Sequence, residues 1–136
     1  MRIATERFTV ETSKRKQIVD ITNAVNRIVE KSNVQNGICL IHAPHATVGV
    51  VTNENESGLV NDILNSITAL FPQGAGYKHD LIDDNADAHL ASTFLGQSKA
   101  FPVENRRLVR GTWQNVFLVE LDGPRSREII VLILGE

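Results

Sequence analysis

Arg127-Glu128-Ile129-Ile130-Val131-Leu132-Ile133-Leu134, close to the C-terminus, is apolar at every position from 129 to 134. A strand with one wet face alternates polar and apolar residues, so a strand apolar on both faces needs both of them covered. A helix layer can cover one face. A neighbouring subunit can do so equally well, and the pattern favours an oligomer.

Working outward, three further short strands precede this one: Lys99 to Val103, Arg107 to Val109 and Trp113 to Asp122, the last turning back through Gly123-Pro124. At the other end, Thr and Val content favours a first strand from Arg2 to Thr12. From Ile18 the apolar positions Ile18, Ile21, Val25, Ile28 and Val29 form a stripe of helical period, which predicts a first helix closed by a turn at Asn36-Gly37. Gly37 to Ala43 and Thr47 to Asn53 read as two strands parted by Pro44, which lacks a donor and bends the chain so that His45 stands at a strand entrance. A second helix runs from Ser57 to Leu70 on the stripe Leu59, Val60, Ile63, Leu64, Ile67, Leu70 and Phe71, and Pro72 stops it. Pro72 to Asp83, with Gly74 and Gly76, is the longest irregular segment and a natural site loop. A short third helix from Asn85 to Leu95 has Asp83 or Asp84 as its cap and Gly96 as its terminator. Strand-rich flanks with two to three helices inserted between them indicate an α+β fold.

The chain has 136 residues, 42% of them hydrophobic, enough for one well-buried core and a single domain spanning 1–136. A net charge of −2 and a pI near 6.1 argue against nucleic acid as a partner, and Lys14-Arg15-Lys16 reads as a solvated loop. Cys39, the only cysteine, lies in the apolar run Ile38-Cys39-Leu40-Ile41 and reads as a small buried hydrophobe. No segment reaches the ~20 apolar residues of a membrane helix. The start lacks the apolar middle of a secretory signal, so a cytoplasmic protein without membrane contact is expected.

Three of the four histidines sit beside small or acidic residues at the ends of predicted elements. His89 lies on or beside the buried face of the third helix with Asn85 one turn earlier, and His79 lies ten residues before it at the exit of the Gly-rich loop. Two imidazoles joined by such a connection can share a cation, and His45 is the best third ligand; three neutral imidazoles leave one tetrahedral position for water. His42 reads as structural. Asn53 and Glu54 raise a distance problem, because a straight strand from His45 to Asn53 spans roughly 26 Å at ~3.3 Å per residue. Either the strand bends or two subunits share a site; Glu54 and Glu56 also suit the positive end of the second helix. Asp62 is a surface carboxylate or a partner that orients a histidine. Asn53, Glu54 and Asp62 are thus the candidate catalytic residues, His45, His79 and His89 the candidate metal ligands, and Asn85, Gln114, Glu120 and Arg125 the candidate substrate contacts. Glu120, inside an apolar strand, calls for a cation from Arg125 or Arg127. Trp113, the only tryptophan, reads as a core anchor.

The order His45-Ala-Thr, Thr52-Asn53-Glu54, Asp62, Tyr77-Lys78-His79-Asp80, His89, Leu95-Gly96-Gln97-Ser98, Pro102-Val103, Gly111-Thr112-Trp113-Gln114, Glu120 and the tail Arg127 to Gly135 resembles the YjbQ-like family, associated with secondary thiamine-phosphate synthases. One departure is Asn105-Arg106, which stands where the family's turn has a glycine. The resemblance implies a sandwich of mostly antiparallel sheets that assembles as a homotrimer, with site residues near the subunit boundary and His45, His79 and His89 in a polar, metal-binding site. It implies an enzyme that joins a hydroxymethylpyrimidine pyrophosphate to a thiazole phosphate and releases pyrophosphate, which calls for a divalent cation or Arg/Lys on the leaving group, with zinc and magnesium the candidate metals. The expected function is metal-assisted chemistry on a small phosphorylated or pyrophosphorylated metabolite; the alternative is a non-catalytic trimer that binds a metabolite or metal.

Overall fold

The computed structural model describes Met1–Glu136. The elements in order are β1 (Arg2–Glu11), β2 (Gln17–Asp20), α1 (Thr22–Lys31), β3 (Asn36–His42), β4 (Val48–Asn53), α2 (Ser57–Leu70), a 3-10 turn (Lys78–Leu81), α3 (Ala86–Leu95), β5 (Ser98–Glu104), β6 (Arg107–Leu108), β7 (Asn115–Glu120) and β8 (Ser126–Gly135). All strand pairs are antiparallel, in a five-stranded sheet ordered β1-β8-β3-β5-β6 and a three-stranded sheet ordered β2-β7-β4. The fold is α+β, and no helix is long and apolar enough to cross a membrane.

Pleating divides the side chains among three layers. Ile129, Val131 and Ile133 of β8 and Cys39 and Ile41 of β3 meet Val48 and Val50 of β4 and Val116 and Leu118 of β7 between the sheets, with Ile21, Val25 and Val29 of α1 in the same core. The alternate residues Val119 and Leu121 pack with Ile67 of α2 and Ala88 and Ala91 of α3 on the far side of the three-stranded sheet. The uniformly apolar β8 does not have both faces covered within one chain: Ile130, Leu132 and Leu134 stay half-buried, beside Ile3 and Ile38, which are 71% and 51% exposed.

One register holds the two sheets together. Arg2 faces Gly135 at one end of the β1–β8 ladder and Glu11 faces Ser126 at the other; the same register resumes where Gln17 faces Glu120 in β2–β7. The amide of Thr12 donates to the Arg125 carbonyl at 3.0 Å between the two ladders. The N- and C-terminal segments thus form one long ribbon folded over at residues 12–16 and 121–125. At that corner Glu120 and Arg127 meet inside the sandwich, with side chains 0% and 5% exposed. Arg127 donates to the carboxylate from Nε at 2.8 Å and from Nη2 at 2.5 Å, and Nη2 also donates to Thr47 Oγ1 at 2.8 Å. Thr12 Oγ1 and the amides of Leu121 and Asp122 donate to the same carboxylate. Burial pushes the Glu120 carboxyl upward, but the Arg127, Asp122 and Thr12 hydrogen bonds outweigh it and hold the group below the usual glutamate range.

Several elements differ from their sequence reading, each for a local reason. Ile18 lies on β2: residues 17–20 pair with β7, and α1 begins only where the Asp20 carboxylate accepts from the Thr22 amide at 2.9 Å. Asn36-Gly37 opens β3 and is no turn; a Cβ at Gly37 would lie 2.0 Å from the Leu134 carbonyl oxygen, so the glycine permits the close approach of β8. α3 is capped by neither Asp83 nor Asp84, since Asp80 Oδ1 accepts from the Ala86 amide at 2.9 Å. Trp113 is 69% exposed and lies before β7, held out by a turn in which the Gln114 amide donates to the Gly111 carbonyl at 3.0 Å.

Glu120→Gln leaves the buried Arg127 charge uncompensated and is expected to destabilise the protein by about 3–5 kcal/mol in urea titration, whereas Glu120→Leu combined with Arg127→Met recovers most of that loss. Because the folded Glu120 carboxyl lies below its ordinary value of 4.5, its stabilisation is complete above that pH and vanishes as pH falls through the folded value. The double variant therefore shows a shallower loss of stability below about pH 4.5 than the wild type does.

Candidate functional site

His79 and His89 come together because the 3-10 turn folds under the start of α3. Asp80 ties the two by its bond to the Ala86 amide, and the imidazole rings then stand edge to face, with centroids 4.7 Å apart and planes at 74°. They line a cleft of about 280 Å³ with Tyr77, Lys78, Ala86 and Leu90. Three buried polar atoms in this stretch have no hydrogen-bond partner: His79 Nε2, Asp80 Oδ2 and Asn85 Oδ1. A buried polar atom without a partner costs about 1–3 kcal/mol. All three lie in one neighbourhood, and no other buried side-chain nitrogen or oxygen of the chain is left without a partner.

A charged network fixes the surroundings. Asn85 Nδ2 donates to Asp122 Oδ2 at 2.9 Å, and Arg125 reaches the same carboxylate from Nη2 at 3.2 Å. Arg15 grips the buried Asp87 of α3 through two bonds of 3.0 Å, with Lys16 Nζ at 3.4 Å. Burial raises the Asp87 carboxyl, yet the Arg15 bonds and the charges of Arg15 and Lys16 prevail and keep it low. The basic run expected to be a solvated loop is therefore half committed to holding α3 against the ribbon corner.

His45 is held elsewhere. In the β3–β8 register, His42 faces Ile130, so Pro44 would face Glu128 if the ladder went on. Proline has no amide to donate. The His45 ring takes over this edge: Nε2 lies 3.0 Å from the Glu128 amide nitrogen and 3.1 Å from its carbonyl oxygen, accepting from the first in one tautomer and donating to the second in the other. His45 does not line the His79–His89 cleft, and no three His, Cys, Asp or Glu side chains of one chain gather as a metal-binding group. His42 packs on β3 with Nδ1 2.6 Å from Ser98 Oγ, as a structural cross-strand pair would. Burial pushes the Cys39 thiol up to about 12, which suits its reading as a small hydrophobe.

The remaining candidates divide between places. Asn53 and Asp62 line an apolar groove between β4 and α2, with Asp62 exposed. Glu54 shares a hollow with Glu56, Thr112 and Trp113, and Gln114 Nε2 donates to Thr52 Oγ1 at 3.5 Å. Glu56 is spent on α2, accepting from the amides of Gly58 and Leu59. This group lies by Asn115, at the opposite end of β7 from Glu120, about 17 Å away at ~3.4 Å per residue. Glu120 has every contact satisfied inside the protein, so within the chain it acts as the corner ion pair and presents nothing to a cleft. Arg125 and Asn85 do border the histidine region, through Asp122. The sequence reading missed Asp80 as the tie and Asp87 as a buried carboxylate. Asp87 carried a signal: small residues on both sides, Ala86 and Ala88, mark a closely packed helix face where a carboxylate needs a cation.

The chain resembles known proteins over almost its whole length. The family model for the UPF0047 protein YjbQ-like family matches residues 6–136. A UPF0047 protein of Archaeoglobus fulgidus is 49% identical over 127 residues, covering 93% of this chain and 98% of that protein; one from Methanothermobacter thermautotrophicus is 41% identical over 136 residues, covering 100% and 95%. Among solved structures, a YbjQ-like protein of unknown function from Sulfolobus solfataricus P2 superposes with a TM-score of 0.98 at 53% identity, covering 99% of each chain. A hypothetical protein from Aeropyrum pernix K1 gives 0.95 at 42%, covering 98% of this chain and 99% of that one. On this match the chain belongs to the UPF0047 YjbQ-like family.

Proposed function

We propose that the His79–His89 cleft is one part of a composite site, completed between copies of a homotrimer. There a divalent metal, zinc or magnesium, assists chemistry on a small phosphorylated or pyrophosphorylated metabolite. The reaction is a group transfer of the secondary thiamine-phosphate synthase kind. The observation that carries this reading is the set of unpartnered atoms beside two imidazoles in contact.

The donor chemistry of the two imidazoles that line the cleft suits zinc. One chain falls short of three protein ligands of the usual kind, so the third comes from a neighbouring copy. His45 is the candidate, because with Nε2 protonated and donating to the Glu128 carbonyl its Nδ1 keeps a lone pair for the metal. Bound metal supplies a Lewis acid that stabilises charge on a leaving pyrophosphate. Around it, Asn85 is oriented by Asp122, and Arg125 is braced on the same carboxylate as an anion contact. Asn53, Glu54, Asp62 and Gln114 of another copy complete the site, Glu54 or Asp62 as base or orienter. The half-buried stripe Ile130, Leu132, Leu134 with exposed Ile3 and Ile38 offers an apolar sheet face for such a neighbour.

Metal analysis of purified protein tests the ligands. His79→Ala and His89→Ala are each expected to lose the metal that the wild type retains after dialysis, and unchanged content in both removes the assignment. Turnover separates catalysis from storage: incubation with hydroxymethylpyrimidine pyrophosphate and thiazole phosphate is expected to release several equivalents of pyrophosphate per site. Saturable binding with no release favours the non-catalytic trimer. Leu132→Glu places a charge on the sheet face and is expected to turn a sedimenting trimer into a monomer; a wild type that sediments as a monomer contradicts the shared site.

A further inference from the structure

The segment that closes the five-stranded sheet concentrates three arginines in five residues, Arg106, Arg107 and Arg110. They line a cleft of about 420 Å³ with Asn26, Glu30 and Thr112. Two of the guanidiniums are fixed in place by neutral acceptors. Arg106 Nη2 donates to the Glu30 carbonyl at the end of α1 at 2.8 Å, and Arg110 Nη1 donates to the Gln114 carbonyl at 3.2 Å and to Asn115 Oδ1 at 3.4 Å. Carbonyl acceptors hold the planar fork without neutralising it. None of the three arginines forms an ion pair, in contrast to Arg7, Arg15, Arg125 and Arg127. The acids at hand are Glu30 on the cleft wall and Glu104, which faces Arg107 across β5–β6 without pairing to it.

Asn105-Arg106 makes the two-residue hairpin that delivers these side chains, with φ of 52° and 65°. Such a turn prefers glycine. Here an arginine occupies the left-handed position, and its side chain reaches the end of α1. A chain of net charge −2 thus maintains a local excess of fixed positive charge in a concave polar site.

We propose that this cleft binds the phosphate or pyrophosphate group of a small anionic ligand, with Arg107 and Arg110 as the gripping forks and the Thr112 hydroxyl as a further donor. Three guanidiniums against one wall carboxylate are balanced by a dianion better than by a single carboxylate, and the fork geometry of arginine matches phosphate oxygens. The volume lies in the range of about 300–1,000 Å³ typical of small-molecule sites. The cleft stands by Asn115, at the end of β7 away from the histidines, so this inference does not rest on the metal reading.

Calorimetric titration of the full chain with sodium pyrophosphate at low salt tests it. Arg107→Gln combined with Arg110→Gln is expected to weaken binding at least about tenfold. Arg2→Gln combined with Arg27→Gln, the same change in net charge outside the cleft, is expected to leave it unaltered; matching unfolding curves confirm that all the variants fold. No heat with the wild type, or equal losses in the two arginine pairs, overturns the site. A single-stranded oligonucleotide that binds the same cleft more tightly than pyrophosphate overturns the small-ligand assignment.

Discussion

Glu120 and Arg127 meet where the chain passes from one sheet to the other, and the rest of the architecture takes its position from that meeting. A glutamate and an arginine between two sheets cost several kilocalories per mole in lost hydration, and that cost is offset because both carboxylate oxygens and the Nε and Nη2 of the guanidinium are hydrogen-bonded. Thr12 comes from the first strand of the ribbon, Thr47 from the entrance to β4, and Leu121 and Asp122 from the turn itself. One ion pair therefore sets the angle between the sheets, the end of β1 and the start of β4 at once. Apolar residues in its place could match its stability but could not specify those four attachments by hydrogen-bond direction.

From that corner the site follows by short steps. The turn after β7 carries Asp122, which orients Asn85; the loop after β1 carries Arg15 and Lys16, which hold Asp87 and with it α3. α3 then sets His89, and Asp80 sets His79 against it. The site is thus assembled on rigid elements, and its irregular part, the 3-10 turn, is pinned at one point. The unpartnered polar atoms of His79, Asp80 and Asn85 lie within this otherwise well-tied region.

Much of this was legible before any coordinates. Ser57 to Leu70 emerged with its bounds intact, because an apolar stripe ending at Pro72 admits one reading. The pairing of Glu120 with Arg125 or Arg127 followed from charge in an apolar strand, and Arg127 is the partner. The nearness of His79 and His89 followed from a short connection. What failed was local periodicity where a strand and a helix abut: Ile18 and Ile21 are three apart, yet a β ladder claims one and a helix the other. Long-range facts were equally hidden. That His45 would substitute for a missing proline amide on β8 depends on the register of β3, which no local pattern records. Nor does a basic tripeptide announce that two of its members reach a carboxylate more than seventy positions away.

We propose that His79 and His89 bind a divalent cation supplied from outside the chain. Nitrogen-15 NMR of imidazole-labelled protein, followed as zinc is added, tests it most directly. A ring nitrogen of each of these two histidines, and none of His42, is expected to move to the shift of a metal-bound imidazole at stoichiometric zinc. Spectra in which both retain the shifts of free neutral rings would contradict it.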